Sequence, residues 1–384
     1  MTFKMSALQK TVLQSEIRSM TLACNKINGI NLAQGICDCP LPAPVGAGAK
    51  DAIENGINAY TRFDGLSGLR AAIAEKYRRF YRMTVDPESE IVVSCGATGA
   101  FYCTCLALLN PGDEVIVFEP YYGYHINTLG MLGVRARFVR LDPPLWRVSA
   151  DAVASAVTPH TRAILVNTPA NPSGKVFSAG DLETIAAAAK KNDLWVFTDE
   201  IYEHFVYDGL RHVPLATLPG VRERTVTLSG LSKTFSITGW RIGYAICDRR
   251  YAQAIGHFND LVYVCAPAPL QMGAARGLMD LGQDYYNCLS LEFLQKRSTL
   301  CNALAAAGLA PIVPQGAYYV LADMTRMPGN DSREKAMALL EKTGIACVPG
   351  CAFYHDNAGE NLGRFCFAKE KEVIDEVCNR LKRL

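Results

Sequence analysis

The chain has 384 residues with 39 basic and 37 acidic side chains, a formal net charge of +2, 49% hydrophobic residues and 20% charged ones. At roughly 100 to 200 residues per domain this length suggests about two domains and burial of about three quarters of the unfolded surface. Near-neutral charge argues against nucleic acid or an anionic membrane as the main partner, because either needs a dense basic field to release counterions.

The first twenty residues scatter charge and lack the apolar stretch and small-residue cleavage pattern of a secretion signal, so a cytoplasmic setting is expected. Leu69, Ile73, Tyr77 and Phe80 recur at helical spacing. The uncharged run 91–112 is long enough to suggest a membrane span, but Ser94, Gly96, Thr98, Gly99, Asn110 and Pro111 interrupt it. It reads instead as a strand, a turn and a helix. Apolar runs at 91–93, 114–118, 163–167, 194–198, 225–228 and 242–247 predict strands. Between them, Leu182, Ile185, Ala186 and Ala189 mark a helix that a capping box from Ser178 to Asp181 would open. Strands without clean alternation, separated by helices, predict an α/β domain with a largely parallel sheet covered on both faces, over residues 45–275. A helical stretch at 284–307, the segment Pro314-Gln-Gly-Ala-Tyr-Tyr-Val-Leu, a helix near 333–343, a strand at 345–348 and a helix from Lys371 form a smaller α+β unit. That unit is expected to combine residues 1–44 with 276–384, leaving a cleft for a ligand between the two. The fourteen cysteines include C-x-C pairs at Cys37/Cys39 and Cys103/Cys105 but no C-x-x-C, which favours reduced, buried thiols over disulfides; no metal is expected.

Lys233 is the one charged residue in 225–240 and follows a predicted strand. Small and apolar neighbours would desolvate it, favour its neutral amine and let it condense with a carbonyl. Arg241 and Arg364 each lead an apolar strand, where a permanent cation needs an anion; a ligand phosphate or carboxylate, or an ion pair within the chain, would serve. Asp199 and Glu200 close a strand at the sheet edge where α/β proteins bind ligands, although acids there also cap helices, and Tyr202 lies close behind. Gly96-Ala97-Thr98-Gly99-Ala100 joins a strand to a helix and offers free N–H groups as an anion seat, or simply close packing. Asn171-Pro172-Ser173-Gly174 has turn chemistry that needs no function, and Tyr121, Tyr122 and Tyr124 offer rings for stacking or for the core.

In order along the chain these residues resemble the class I/II aminotransferases, the fold-type I enzymes that use pyridoxal 5'-phosphate. The resemblance runs from Asn31-Leu-Ala-Gln-Gly35 and Tyr60-Thr-Arg-Phe-Asp-Gly-Leu-Ser-Gly-Leu-Arg70 through Gly96-Ala-Thr-Gly-Ala100, Asn167-Thr-Pro-Ala-Asn-Pro-Ser-Gly174, Thr198-Asp-Glu-Ile-Tyr202 and Ser232-Lys-Thr-Phe-Ser-Ile-Thr-Gly-Trp-Arg241 to Arg364-Phe-Cys-Phe-Ala368. The segment from Tyr207 to Gly220 and Pro314-Gln-Gly-Ala-Tyr-Tyr look like the kynurenine, glutamine and methionine aminotransferase branch. The resemblance implies a large domain with a mostly parallel, mixed seven-stranded sheet and a homodimer. It also implies Lys233 as the Schiff-base lysine and proton carrier, Asp199 as partner of the pyridine nitrogen, and Tyr202 with Asn171 as partners of the ring oxygen. Ala97, Thr98, Ser232 and Arg241 would surround the phosphate, with Tyr60 reaching it from a second subunit, and Tyr122 would stack on the ring. Arg364, Asn171 and the Gly35 backbone would hold the substrate α-carboxylate. The family usually has a serine three residues before the lysine; Gly230 stands there, so Ser229 or Ser232 must supply that hydroxyl or it is missing.

Ile36, Cys37, Tyr60, Tyr122, Tyr263 and Phe353 form the expected side-chain pocket, with no second arginine. Such a pocket suits a neutral donor such as methionine, an aromatic amino acid, kynurenine or glutamine, with a 2-oxo acid as acceptor. The alternative is a pyridoxal phosphate-dependent cysteine-conjugate β-lyase, which shares the early chemistry and differs in the fate of the carbanion.

Overall fold

The computed structural model describes residues 4–6, 8 and 15–384. Helix α1 (Glu16–Lys26) and strand β1 (Ile30–Asn31) precede α2 (Ala43–Glu54) and α3 (Ser67–Tyr81). Strands and helices then alternate as β2 (Ile91–Cys95), α4 (Gly96–Leu108), β3 (Glu114–Glu119), α5 (Gly123–Met131), β4 (Arg135–Arg140) and α6 (Ala150–Ala156). Next come β5 (Thr161–Asn167), α7 (Ala179–Lys191), β6 (Trp195–Asp199), β7 (Thr225–Gly230) and β8 (Ile242–Ile246). Three helices follow, α8 (Arg249–Tyr263), α9 (Ala268–Asp280) and α10 (Gln283–Ala306). The chain closes with β9 (Ala310–Ile312), β10 (Tyr319–Asp323), α11 (Ser332–Thr343), β11 (Ile345–Ala346), β12 (Val348–Pro349), β13 (Leu362–Cys366) and α12 (Lys371–Leu381).

The seven-stranded sheet has the order β2-β8-β7-β6-β5-β3-β4, and β8 alone runs against its neighbours. This is the α/β, mostly parallel architecture expected from the apolar strands and intervening helices. A four-stranded antiparallel sheet, β12-β13-β10-β9, and the pair β1-β11 make up the smaller layer. One apolar core joins the two sheets, running from Ile116, Ile164 and Val196 to Leu321 and Phe365. The uncharged run 91–112 is β2 followed by α4, and among the described residues no helix is long and apolar enough to cross a membrane.

Two elements differ from the sequence reading. Strand β4, Arg-Ala-Arg-Phe-Val-Arg, is absent from the apolar runs because it lies at the sheet edge, with its arginines facing solvent and Val139 buried. Residues 345–348 form two strands rather than one. The chain changes partners at Cys347: Ile345 and Ala346 pair with β1, and Val348 pairs with Arg364 of β13.

The capping box that opens α7 forms as its spacing predicts. Ser178 Oγ accepts from the Asp181 N–H at 3.2 Å, and Asp181 Oδ2 accepts from the Ser178 N–H at 3.0 Å. Ser178→Ala should therefore cost about 0.5–2 kcal/mol, read as a lower urea midpoint with an unchanged slope.

Candidate active site

Parallel strands β2, β3, β5, β6 and β7 all end at one edge of the large sheet, and because β8 is reversed it begins there. Arg241, the residue before β8, is thereby delivered to the same edge as Asp199 at the end of β6 and the turn after β7. A cavity of about 480 Å³ opens at this edge, and every residue that the resemblance assigns to the cofactor or to the substrate carboxylate, except Tyr60, lines it. Tyr60 is 83% exposed in this chain.

Lys233 sits in a tight turn after β7, closed by Phe235 N–H to Leu231 O (3.1 Å) and Ile237 N–H to Ser232 O (3.0 Å). Its Nζ donates to Gly35 O at 3.1 Å. Burial lowers its pKa to about 8, and the Arg241 and Arg364 cations push the same way. Gly35 itself must be glycine, because a Cβ there would lie 1.8 Å from the Tyr319 hydroxyl.

Asp199 is buried, with Oδ2 3.0 Å from His125 Nε2 and Oδ1 accepting from the Ile201 N–H at 3.3 Å. His125 is buried on α5 against Phe101, the ring centroids 4.8 Å apart. Asn167 ties the neighbouring strand ends together: its Nδ2 donates to Asp199 O at 3.0 Å and its Oδ1 accepts from the Asn171 N–H at 2.7 Å. The Tyr202 hydroxyl pairs with that of Tyr319 at 3.0 Å, and burial holds the Tyr202 phenol well above its usual range, so it stays protonated.

The first turn of α4 carries backbone N–H groups without helical partners. Gly96 opens it with φ +77°, and a Cβ there would fall 2.4 Å from Arg241 Nη2, so the missing side chain lets the guanidinium lie beside the helix start. Gly243 on β8 plays the complementary part, since its Cβ would meet the Ala97 nitrogen at 2.2 Å. Arg241 donates to Thr238 O at 3.1 Å and has no acidic partner among the described residues. At Gly230 a side chain would press on Ile242 O at 2.9 Å and Ile201 Cδ1 at 3.0 Å. Of the two hydroxyls that could replace a serine there, Ser232 lines the cavity, whereas Ser229 donates to Glu203 Oε1 at 2.9 Å, outside it.

Arg364 on β13 is 1% exposed. Its Nη1 donates to Asn171 Oδ1 at 2.8 Å, its Nη2 to Ala33 O at 2.5 Å, and its Nε is buried without a partner. The guanidinium lies 4.3 Å from the centre of the Tyr319 ring and 5.2 Å from that of Phe353. The turn 171–174 needs its glycine: the Gln315 and Gly316 N–H groups both donate to Gly174 O, and a Cβ on Gly174 would sit 2.1 Å from Pro314.

The expected side-chain pocket is corrected in part. Ile36 and Tyr122 line the cavity, but Cys37, Tyr60, Tyr263 and Phe353 do not. Cys37 is buried and accepts from Ser236 Oγ at 3.2 Å, and Tyr263 packs beside Gly99. The expectation of no second arginine also fails, because α1 brings Arg18 and Ile17 to the cavity. His125, Gln34 and Tyr319 were likewise not singled out. His125 follows the Tyr121-Tyr-Gly-Tyr124 run directly and was within reach of that signal; nothing near Arg18 marks it.

Residues 27–381 match the family Aminotransferase class I and II. The chain belongs to this family. A probable N-succinyldiaminopimelate aminotransferase of Mycobacterium tuberculosis is 36% identical to this aminotransferase over 95% of the chain and 94% of its own length. The methionine aminotransferase of Escherichia coli K12 is 31% identical over 95% and 94%. The solved N-succinyldiaminopimelate aminotransferase of Mycobacterium tuberculosis superposes with a TM-score of 0.95 at 35% identity, covering 98% of this chain and 99% of that one. The chain is thus a fold-type I, pyridoxal phosphate-dependent aminotransferase.

The residues present fit that cofactor. The cavity holds a half-buried, desolvated lysine with no acidic partner among the described residues, a carboxylate at a strand end, and a glycine-lined helix start facing an arginine. Because burial depresses the Lys233 pKa to about 8, its amine should become reactive well below the ordinary lysine range. Competitive acetylation of cofactor-free protein, followed by mass spectrometry of the Lys233 peptide, should give a midpoint near pH 8. A midpoint above pH 10 would contradict the burial argument.

Proposed function

We propose that this aminotransferase moves the amino group of a neutral L-amino acid, with an aromatic, sulfur-containing or glutamine-like side chain, to a 2-oxo acid. The observation that carries the reading is that Lys233 and Arg364 face one cavity with no acid paired to either among the described residues. Pyridoxal phosphate, when bound, supplies an electron sink for the pair left at the substrate Cα. The first turn of α4, with Ala97, Thr98, Ser232 and Arg241, would hold its phosphate, helped by Tyr60 from a second subunit of a homodimer. Tyr122 would cover the ring, Asp199 would favour a protonated ring nitrogen, and Asn171 with Tyr202 would bond the ring oxygen.

Lys233, its amine neutral at modest cost, takes the proton from Cα and returns it on the cofactor side. Arg364 can turn from the Ala33 carbonyl to grip a carboxylate bidentately, which fixes Cα beside the lysine, while Asn171 and the Gly35 backbone complete that grip. His125 keeps Asp199 in place. Ile17, Ile36, Tyr124 and Tyr319 give the remaining wall its apolar and aromatic character, and Asp199 is the one acid among the lining residues. Those walls support a neutral side chain, and one similar enzyme is named for methionine. All fourteen cysteines are free, which supports a reducing, cytoplasmic setting.

A panel of donors with 2-oxoglutarate and pyruvate should give higher kcat/KM for methionine, phenylalanine, kynurenine or glutamine than for aspartate; a strong aspartate preference would overturn the reading. Lys233→Ala should lower turnover by at least roughly 10²- to 10⁴-fold while the protein stays folded, checked by circular dichroism.

A further inference from the structure

The C-x-C pair Cys37 and Cys39 has no part in the chemistry described above. Cys37 follows Ile36 of the cavity wall and is itself buried, whereas Cys39 is half-buried. Asp38, between them, is fastened elsewhere: its N–H donates to Ala368 O at 3.1 Å and its carboxylate accepts from Lys369 Nζ at 2.7 Å. The two thiols are left in contact with each other and with a small polar cluster. Ser236 Oγ donates to Cys37 Sγ at 3.2 Å, Lys296 Nζ donates to Cys39 Sγ at 3.5 Å, and Cys39 Sγ donates to Glu292 Oε1 at 3.6 Å.

This setting differs from that of the core cysteines, since burial pushes the thiols of Cys103, Cys105, Cys247 and Cys347 up. The Cys37 thiol is instead held below its ordinary value, chiefly by the Cys39 S–H and also by the Ser236 hydroxyl, against the cost of burial. Cys39 keeps the proton of the pair and is pushed up. A thiolate beside a second thiol is the arrangement that reacts with a peroxide and then closes on itself. The pair also touches both sides of the Lys233 anchorage. Gly35, whose carbonyl accepts from Lys233 Nζ, lies just before Cys37 in the chain, and Ser236, which donates to Cys37, lies just after Lys233.

We propose that Cys37 and Cys39 are a peroxide-oxidisable dithiol, Cys37 the nucleophile and Cys39 the resolving thiol, whose disulfide slows turnover by disturbing the seat of Lys233. The Cys37 thiolate attacks one oxygen of hydrogen peroxide, the O–O bond breaks, and the leaving hydroxide takes the Cys39 proton to become water. The Cys39 thiolate, beside the Lys296 ammonium, then attacks the Cys37 sulfenic sulfur. The S–O bond breaks, the S–S bond forms, and the departing hydroxide regains from solvent the proton that Cys37 had released. Two electrons pass from the thiol pair to the peroxide, and two waters are formed. A small thiol reverses the change by exchange, so in a reducing setting the disulfide is transient.

The test treats reduced holoenzyme with hydrogen peroxide, blocks free thiols with an alkylating agent and reads the peptides by mass. The peptide holding Cys37 and Cys39 should have lost two hydrogens and escaped alkylation, while the exposed Cys288 is alkylated. Turnover should fall roughly ten- to hundredfold, the range for a reacting group displaced by about 1 Å, and return with dithiothreitol. Cys37→Ser, nearly isosteric, should keep the untreated turnover and lose the peroxide response. Cys39→Ser should stop at the sulfenic acid, trapped on Cys37 by dimedone. A dithiol still open to alkylation, an oxygen-containing bridge from Cys39 to Lys296, or a disulfide that leaves turnover unchanged would each overturn the proposal. The slowing rests on the reading of Lys233 as proton carrier; mass reads the disulfide independently and Lys233→Ala tests that role by itself, so the two failures are told apart.

Discussion

A desolvated amine is driven furthest towards neutrality where no acid repays the cost of its charge, and two lysines of this protein show the contrast. Lys76 and Lys233 are each desolvated. Lys76 hydrogen-bonds directly to Glu203 and, at 2.7 Å, to the Tyr244 hydroxyl; desolvation opposes its charge, yet these partners hold its pKa above the ordinary lysine value. Lys233 faces a backbone carbonyl dipole instead, with two arginines nearby, and drops to about 8. The difference lies in where the acids are tied. Glu203 is bonded to Lys76, Tyr81 and Ser229, and Asp199 to His125, and neither acid pairs with Lys233.

That separation is imposed by the sheet. Adjacent parallel strands end at one edge, so residues far apart in sequence arrive side by side, and the single reversed strand adds Arg241 from its beginning rather than its end. The approach is close enough to exclude side chains at several points. Gly243 and Gly96 let the start of α4 lie against β8 and Arg241, and Gly35 lets the chain pass the Tyr319 hydroxyl. The small residues of Gly96-Ala97-Thr98-Gly99-Ala100 thus allow the close packing read from the sequence, and their seat for an anion belongs to the proposed function.

Much of this was legible beforehand because it rests on local signals: apolar runs for buried strands, the Ser178–Asp181 spacing for a helix start, and a solitary lysine in an uncharged stretch. Strand β4 was not, because an edge strand keeps polar side chains on its wet side and so lacks an apolar run. Nor was the split at Cys347, which depends on which strands lie nearby rather than on residues 345–348 themselves. The side-chain pocket was the least legible part. Cys37 and Phe353 are buried away from the cavity lining and Tyr263 packs beside Gly99, while Arg18 arrives from a helix whose own pattern shows only an ordinary polar face.

The hydrogen bond between Arg364 Nη1 and Asn171 Oδ1 joins a residue of the four-stranded sheet to a turn that leaves the seven-stranded one. The same turn is clasped from the far side by residues 315 and 316, which lead into β10, the strand next to β13. With Arg364 in its proposed role, grip on a carboxylate would thus be tied to the relative posture of the two layers: a shift of one against the other would bend the jaw, and a ligand that fills it would stiffen the joint.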